Sequence, residues 1–593
     1  MSRPDRALAT AERATPAGPD GSMSHRQVLE SLSGLLLGMF VSILAGTVVS
    51  TSLPLIISDL KGDQNAYTWV VTATLLATTV STPLWGKFAD LFNRKLLIQL
   101  ALAIFVIGSA AAGFSQDTDM LIVFRVFQGL GAGGLAALSQ IIMADIISPR
   151  ERGKYAGLFG GVMAIGTVGG PLLGGVVTDA FGWRWNFFIA LPVAIVAIIL
   201  LQVTLRLPAH PKRTVKIDYL GAVLIAGGVS LLLIWVSLVG KNFDWASWET
   251  AVMVGGAVVL LIAAVITELT VAEPIIPMSM FKNRTFSLAV VASISVGVSL
   301  FGTAVFLAQY MQLSRGATPT QSGLLTIPLM AGLLIASTIF GGIISRTGKW
   351  KAIMITGAVF SVVGTSLLSQ LRYDTSFVYV GLSMAVLGAG LGMLMQNLVL
   401  VVQNSIEVKN LGVATSAVTF FRSLGGTIGV SVLGSILGTV IADRTASGIA
   451  ALAPADQAVA AQALGGGTIP QVSTLPDAVR VVVESAYGIG IGDVFLFSIP
   501  LALVTLIAVV LLPNVDLGTK NAVQLKAEPA RTIKAAEDAL IGASDGQAAL
   551  RPVGQAQPAE QTEHLARHAA PAAHARHAAD ARPTGSIDVV EQR

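Results

Sequence analysis

The feature that most constrains this chain is the recurrence of apolar stretches long enough to cross a lipid bilayer, which takes about 20 apolar residues per helix. Such stretches lie near residues 33–57, 67–86, 95–114, 120–143, 154–178, 184–205, 218–239, 250–271, 286–312, 321–344, 351–370, 376–402, 412–441 and 490–513. Hydrocarbon offers backbone amides no partner, so each stretch must satisfy its own polar groups as a helix. The predicted fold class is all-α and integral to a membrane, with fourteen transmembrane helices. Charged residues make up only 12% of the chain, against roughly 25% in soluble domains. The absence of cysteine excludes disulfides and thiolate metal sites.

An even number of spans puts both tails on one side. Loops on that side carry sixteen basic residues, among them Lys87, Arg94, Arg150, Arg152 and Lys409, and the opposite loops carry seven. The positive-inside rule then predicts that both termini are cytoplasmic. The tails, residues 1–30 and 516–593, are too polar and too rich in Ala and Pro to bury a core and read as disordered. The second contains His564, His568, His574 and His577; the spacing of the first two would suit a metal if the tail were helical, but a solvated low-complexity segment is expected and no metal site is assigned. Residues 442–489 read as a long outer loop whose Ala-rich first part is a candidate helix.

The stretch "TPLWGKFADLFNRK" at 82–95 concentrates charge where an apolar span stops. It recurs in part: Gly86, Asp90, Arg94 and Lys95 align with Gly341, Ser345, Lys349 and Trp350, 255 positions later. Internal repeats of this kind mark transporters, with the substrate site between the halves. The predicted organisation is a six-helix bundle at 31–206, two extra helices at 207–275 and a second six-helix bundle at 276–515.

Three sites stand out physically. Asp90 ends one helix; if its carboxylate faces the start of another it gains about 0.3–1 kcal/mol and can latch two bundles, with Arg94 as its partner. Arg125 lies inside a span, where its charge costs roughly 2.5 kcal/mol or more and calls for a cavity or a partner, snorkelling being the alternative. Gly166, Gly170 and Gly174 repeat every four residues and suit close helix contact, while Pro171 removes a backbone donor.

With these residues in view, the chain over about 30–515 resembles the major facilitator superfamily, specifically its fourteen-helix drug:proton antiporter branch. "GKFADLFNRK" resembles the family's loop between the second and third helices, with Asn93 where glycine is usual. "RVFQGLGAGG" is similar to the fourth-helix motif, and "GTVGGPLLGG" to the fifth-helix antiporter motif, matching at Gly166, Gly170, Pro171, Gly174 and Gly175. "YMQLSRGATPTQSGLLTIP" and "FFRSLGGTIGVSVLG" resemble the same branch. The resemblance implies the major facilitator fold, two six-helix bundles plus two extra central helices, and multidrug efflux by alternating access across a bacterial inner membrane. It also implies gating by Gly86, Asp90 and Arg94, and proton coupling in which Arg125 controls a nearby carboxylate. The energy source would be a proton gradient. No cofactor, no nucleic acid and no catalytic activity are expected, and a monomer is expected in contact with lipid, protons and small amphipathic organic substrates. No glycine-rich loop ending in Gly-Lys-Ser or Gly-Lys-Thr is present to bind ATP.

One departure bears on mechanism. "LAGTVVSTSLP" matches the branch's first helix, but Ala45 stands where an aspartate is common. Asp145, Glu268 and Glu407 lie near cytoplasmic ends of spans and Asp493 near an outer end, none of them central; proton binding has then moved to Asp90, Asp145 or another helix-end carboxylate, or Arg125 attracts a partly anionic substrate, or transport is uncoupled. Candidate cavity residues are Thr47, Ser50, Gln128, Tyr310, Gln312, Gln396 and Asn397, each equally suited to bonding between helices. An exporter of one physiological substrate and a non-transporting sensor or scaffold remain the alternative readings.

Overall fold

The computed structural model describes residues 25–61, 64–205, 218–240, 243–271, 273–464 and 475–519. Its long helices are α1 (His25–Asp59), α2 (Gln64–Leu91), α3 (Arg94–Gly113), α4 (Thr118–Ile146), α5 (Ala156–Phe181), α6 (Ala190–Thr204), α7 (Tyr219–Leu238), α8 (Trp248–Thr270), α9 (Arg284–Gln309), α10 (Ile327–Thr347), α11 (Lys351–Leu368), α12 (Phe377–Ser405), α13 (Leu411–Ala450) and α14 (Asp477–Leu511). Among the described residues, twelve helical segments are long and apolar enough to cross a membrane. The remaining two, α2 and α5, fall where spans were expected. Threonines dilute the apolar character of α2, but their hydroxyls bond back along the helix, Thr78 to the Thr74 carbonyl and Thr82 to the Thr78 carbonyl, each at 2.7 Å. These polar side chains therefore present no unmet group to lipid.

Helix starts follow local chemistry. Asn93 caps α3 by accepting from Lys95 and Leu96, Asp117 caps α4 by accepting from Met120, and Ser376 caps α12. Residues 25–30, expected in the tail, are the first turns of α1. The outer loop is shorter than 442–489: α13 runs on to Ala450, Pro454–Leu464 is a short helix and α14 begins at Asp477. Alanine needs no tertiary contact to favour a helix, which is why α13 extends past its apolar stretch. Residues 1–24 and 520–593, with the four tail histidines, lie outside the described residues.

The first six helices pack as one group, α1 against α5 and α6, and α4 against α2 and α3. The last six form another, α9 against α13, α12 against α10 and α11, and α14 against α11. Contacts between the groups are made by α2 with α13 and by α5 with α10. The two extra helices form a hairpin on the seam between α2 and α13, where Ile225, Val229, Leu233 and Ala264 pack against Leu76, Val80 and Leu84 of α2 and against Phe420 of α13.

Within each half, helices approach to backbone contact. A Cβ on Gly388 of α12 would sit 2.0 Å from the Leu329 carbonyl oxygen of α10, whereas one on Gly342 would meet nothing within 4 Å. Gly388→Val is expected to destabilise the protein by about 1–3 kcal/mol through overpacking, and Gly342→Ala to leave it unchanged; thermal unfolding of the two purified variants checks the contrast.

Candidate functional site

At one end of the molecule a charged cluster ties the halves together. Arg94, the first residue of α3, is fully buried. Its Nε donates to the Ala89 carbonyl at 2.8 Å, its Nη2 to Asp90 Oδ1 at 3.0 Å and its Nη1 to Asp145 Oδ1. Asp90 in turn accepts from the amides of Gly412 and Val413, both at 2.9 Å. Those are the first-turn amides of α13, which belongs to the other half, so the carboxylate meets the positive end of a helix dipole. The helices cross without clearance: a Cβ on Gly86 would lie 1.8 Å from Ser416 Oγ, and one on Gly412 2.5 Å from Asp90 Oδ1. Gly86, Asp90 and Arg94, expected to act together, are assembled in one contact.

A second tie lies beside it. Arg152, in the turn Arg152–Lys154 between α4 and α5, donates to the Ala144 carbonyl at 3.1 Å and to Gln403 Oε1 of α12. Gln403 also donates to Thr415 Oγ1 at 3.0 Å. Burial pushes the Arg152 guanidinium down to about 9, and Asp145 acts in the opposite sense, so it stays cationic at neutral pH. Two arginines and two aspartates thus leave the cluster electrically balanced. Arg150 reaches the end of α10, donating to the Ser345 and Arg346 carbonyls at 3.4 and 3.2 Å. Sequence reasoning took Arg150 and Arg152 as basic loop residues and missed Gln403; no spacing marks that residue. The second copy of the repeat carries no such cluster, for Ser345 replaces the carboxylate and Lys349 is not buried.

Among the described residues, every side-chain hydrogen bond joining the first six helices to the last six lies at this end. Beside it is a small cavity of about 10 Å³, room for about one water molecule, lined by Gln396, Asn397, Arg152 and Met143. Gln396 Oε1 is buried there without a hydrogen-bond partner, while the Asn397 amide donates to the Met393 carbonyl at 2.6 Å.

Other expected cavity residues are engaged in packing. Thr47 donates to the Gly166 carbonyl at 3.0 Å. Tyr310 is fully buried and its hydroxyl donates to the Arg372 carbonyl at 2.7 Å. Gln128 accepts from Arg125 at 2.7 Å and lies against Ser109 at 3.4 Å. These three hold helices together in this conformation, because a hydroxyl or amide in a dry interior satisfies itself on the nearest backbone or side chain. Gln312 is half-buried, and the side chains of Ser50 and Pro171 lie outside those described. Arg125 does not snorkel: it is 4% exposed, and its Nε reaches the Val70 carbonyl at 3.4 Å. No ion pair to it occurs among the described residues. Ala45 is buried in apolar packing. The glycine face of α5 rests on α1, with Gly166 against Ile43, Gly170 against Thr47 and Gly174 against Val48; Gly175 has open space.

The family model described as the Major Facilitator Superfamily matches residues 35–430. The chain belongs to the major facilitator superfamily. This transporter is 34% identical over 472 residues to the multidrug transporter protein MdtP of Bacillus subtilis, covering 78% of this chain and 86% of that protein. It is 32% identical to multidrug resistance protein 3 of the same organism, covering 79% of this chain and 92% of that one. Among solved structures, the human organic anion transporter MFSD10 matches 80% of this chain and 99% of its own with a TM-score of 0.53 at 14% identity. The proton:xylose symporter XylE matches 85% and 99% with a TM-score of 0.52 at 13% identity. The last two establish a shared fold.

Because the chain has no cysteine, labels at Phe92→Cys and Lys409→Cys report the separation across the latch without background. Asp90→Asn, which loses the charge facing α13, is expected to shift the closed population several-fold, as a loss of about 1 kcal/mol dictates. Pulsed electron spin resonance reads this as a new longer-distance population; an unchanged distance distribution would remove Asp90 from the latch.

Proposed function

We propose that this transporter exports chemically diverse amphipathic organic molecules from a bacterial cell across its plasma membrane, by alternating access and in exchange for protons. The observation that carries the reading is the likeness, over 78% of the chain, to a protein named as a multidrug transporter. The latch supports it by supplying a closed gate on one side of a site between two halves. The latch end bears Lys87, Arg94, Arg150, Arg152 and Lys409 of the more basic set of loops and is taken as cytoplasmic, with both termini. The conformation described is then shut toward the cytoplasm.

Gln396 and Asn397, with Met143, Val399 and Leu400 beside them, offer a substrate hydrogen-bonding groups next to a soft apolar surface. A single chain supplies both walls, so the working unit is a monomer. Coupling follows from charge. Asp90 and Asp145 are both occupied by Arg94, so a proton can reach either only when Arg94 lets go, which links protonation to opening of the latch. Arg125, buried inside the first half with no ion-pair partner among the described residues, tunes the same exchange from within.

Everted membrane vesicles energised with a proton gradient test the reading. Accumulation of two unrelated dyes, abolished by a protonophore and by Arg125→Ala, is expected. Accumulation of one compound only would favour a dedicated exporter, gradient-independent uptake would remove the coupling, and no uptake by a correctly inserted protein would overturn the function.

A further inference from the structure

Two buried carboxyls at the latch end of the α7–α8 hairpin take no part in the latch. Asp218 caps α7, its Oδ1 accepting from the Gly221 amide at 2.8 Å. Glu268, in the last turn of α8, accepts at Oε2 from the Ile276 amide at 3.0 Å. The other oxygen of each, Asp218 Oδ2 and Glu268 Oε1, is buried and has no hydrogen-bond partner among the described residues. The two residues are 6% and 4% exposed. Both free oxygens face one point: a Cβ on Gly221 would lie 2.2 Å from Asp218 Oδ2 and 2.9 Å from Glu268 Oε1. Only a glycine at 221 leaves them room.

Two ionised carboxylates confined together repel, and each buried oxygen lacks a donor. A single proton between them corrects both faults, removing one charge and supplying the missing hydrogen bond. Near the pair lies the Lys87–Glu273 ion pair at 2.8 Å, in which the Glu273 side chain is 46% exposed. Among the described residues, the charged groups whose fields reach Glu268 are Asp218 and Lys87. Facing this seam, α13 contributes Phe420 and Phe421, and the turn Met278–Lys282 contributes Met278 and Phe281, all uncharged.

We propose that Asp218 and Glu268 form a proton-binding site, one proton being shared between their free oxygens, and that its occupancy acts on the latch through Lys87. Uptake forms one O–H bond and lowers the pair from two negative charges to one; release returns the proton to water. With the proton bound, Lys87 stays with Glu273. With it gone, the doubly charged pair competes for the same ammonium. Lys87 follows Gly86, whose Cα lies against Ser416 of α13, so a pull on Lys87 is felt where the halves touch. The site also replaces, elsewhere in the chain, the carboxylate missing at Ala45. Its use in transport rests on the proton exchange proposed above; the binding itself does not.

Infrared titration of the purified full-length protein reads the site directly. A protonated-carboxyl band that disappears as pH rises is expected in the native protein, absent in Glu268→Gln and in Asp218→Asn, and retained in Glu273→Gln. Asparagine still caps a helix, and the amide oxygen introduced by Glu268→Gln would still accept from Ile276, so both variants keep the backbone contacts. Gly221→Ala, which drives a methyl between the oxygens, should alter the band while leaving both acids in place. A band indifferent to Asp218, Glu268 and Gly221 overturns the site, whether or not dye transport is coupled. Where the band belongs to the pair, gradient-driven dye efflux by Glu268→Gln tests the second half: loss of its pH dependence is expected, and an unchanged profile overturns the link to the latch. Native protein that shows the band but transports nothing refutes the efflux reading and leaves the site standing.

Discussion

The burial of Arg94 between two carboxylates organises the end of the molecule where the halves meet. Its charge and its fork of donors demand two carboxylates, which α2 and α4 supply as Asp90 and Asp145. Two acids on one base leave an excess of negative charge. Arg152 balances it electrostatically, and the first amides of α13 take up the outward lone pairs of Asp90. The consequence is that the charges balance within the first half, while its hydrogen bonds are complete only when the second is docked on it. Parting the halves strands Asp90 without two of its donors and Arg152 without Gln403, so the closed state is held by polar groups whose alternative partner is water.

Away from that end, cohesion is of another kind. Lipid gives no hydrophobic reason for helices to associate, so contact depends on close backbone approach and on polar side chains bonding locally. Thr47, Gln128 and Tyr310 illustrate this, each spending its polar atoms on a neighbouring group in the helix packing. The same local satisfaction makes them uninformative as substrate ligands in this conformation. Gln396 differs because one of its atoms stays unmet inside a cavity.

Much of this architecture was legible in the amino-acid order. The apolar stretches give the helices, since bilayer thickness translates directly into residue count. Asp90 as a partner for a helix start could be anticipated from its place at the end of a span. Which helix it meets could not, because Gly412 is 322 positions away and the amide it offers has no side-chain signature. Arg152 illustrates a different obstacle: a basic residue in a short loop reads as an orientation signal, and only packing distinguishes a buried tie from a solvated one. The outer boundaries failed where alanine sustains a helix beyond the apolar segment. Glu268 was visible as a helix-end acid, but its pairing with Asp218 depends on how the hairpin closes around Gly221.

The hairpin also breaks the symmetry that an internal repeat would otherwise impose. Two similar halves facing each other leave two lengthwise seams, one between α2 and α13 and one between α5 and α10. The hairpin covers the first with aliphatic side chains and has no counterpart on the second among the described residues. A greasy molecule drifting within a leaflet therefore meets a wall on one flank and a bare joint on the other, so the protein has a front and a back in the plane of the membrane.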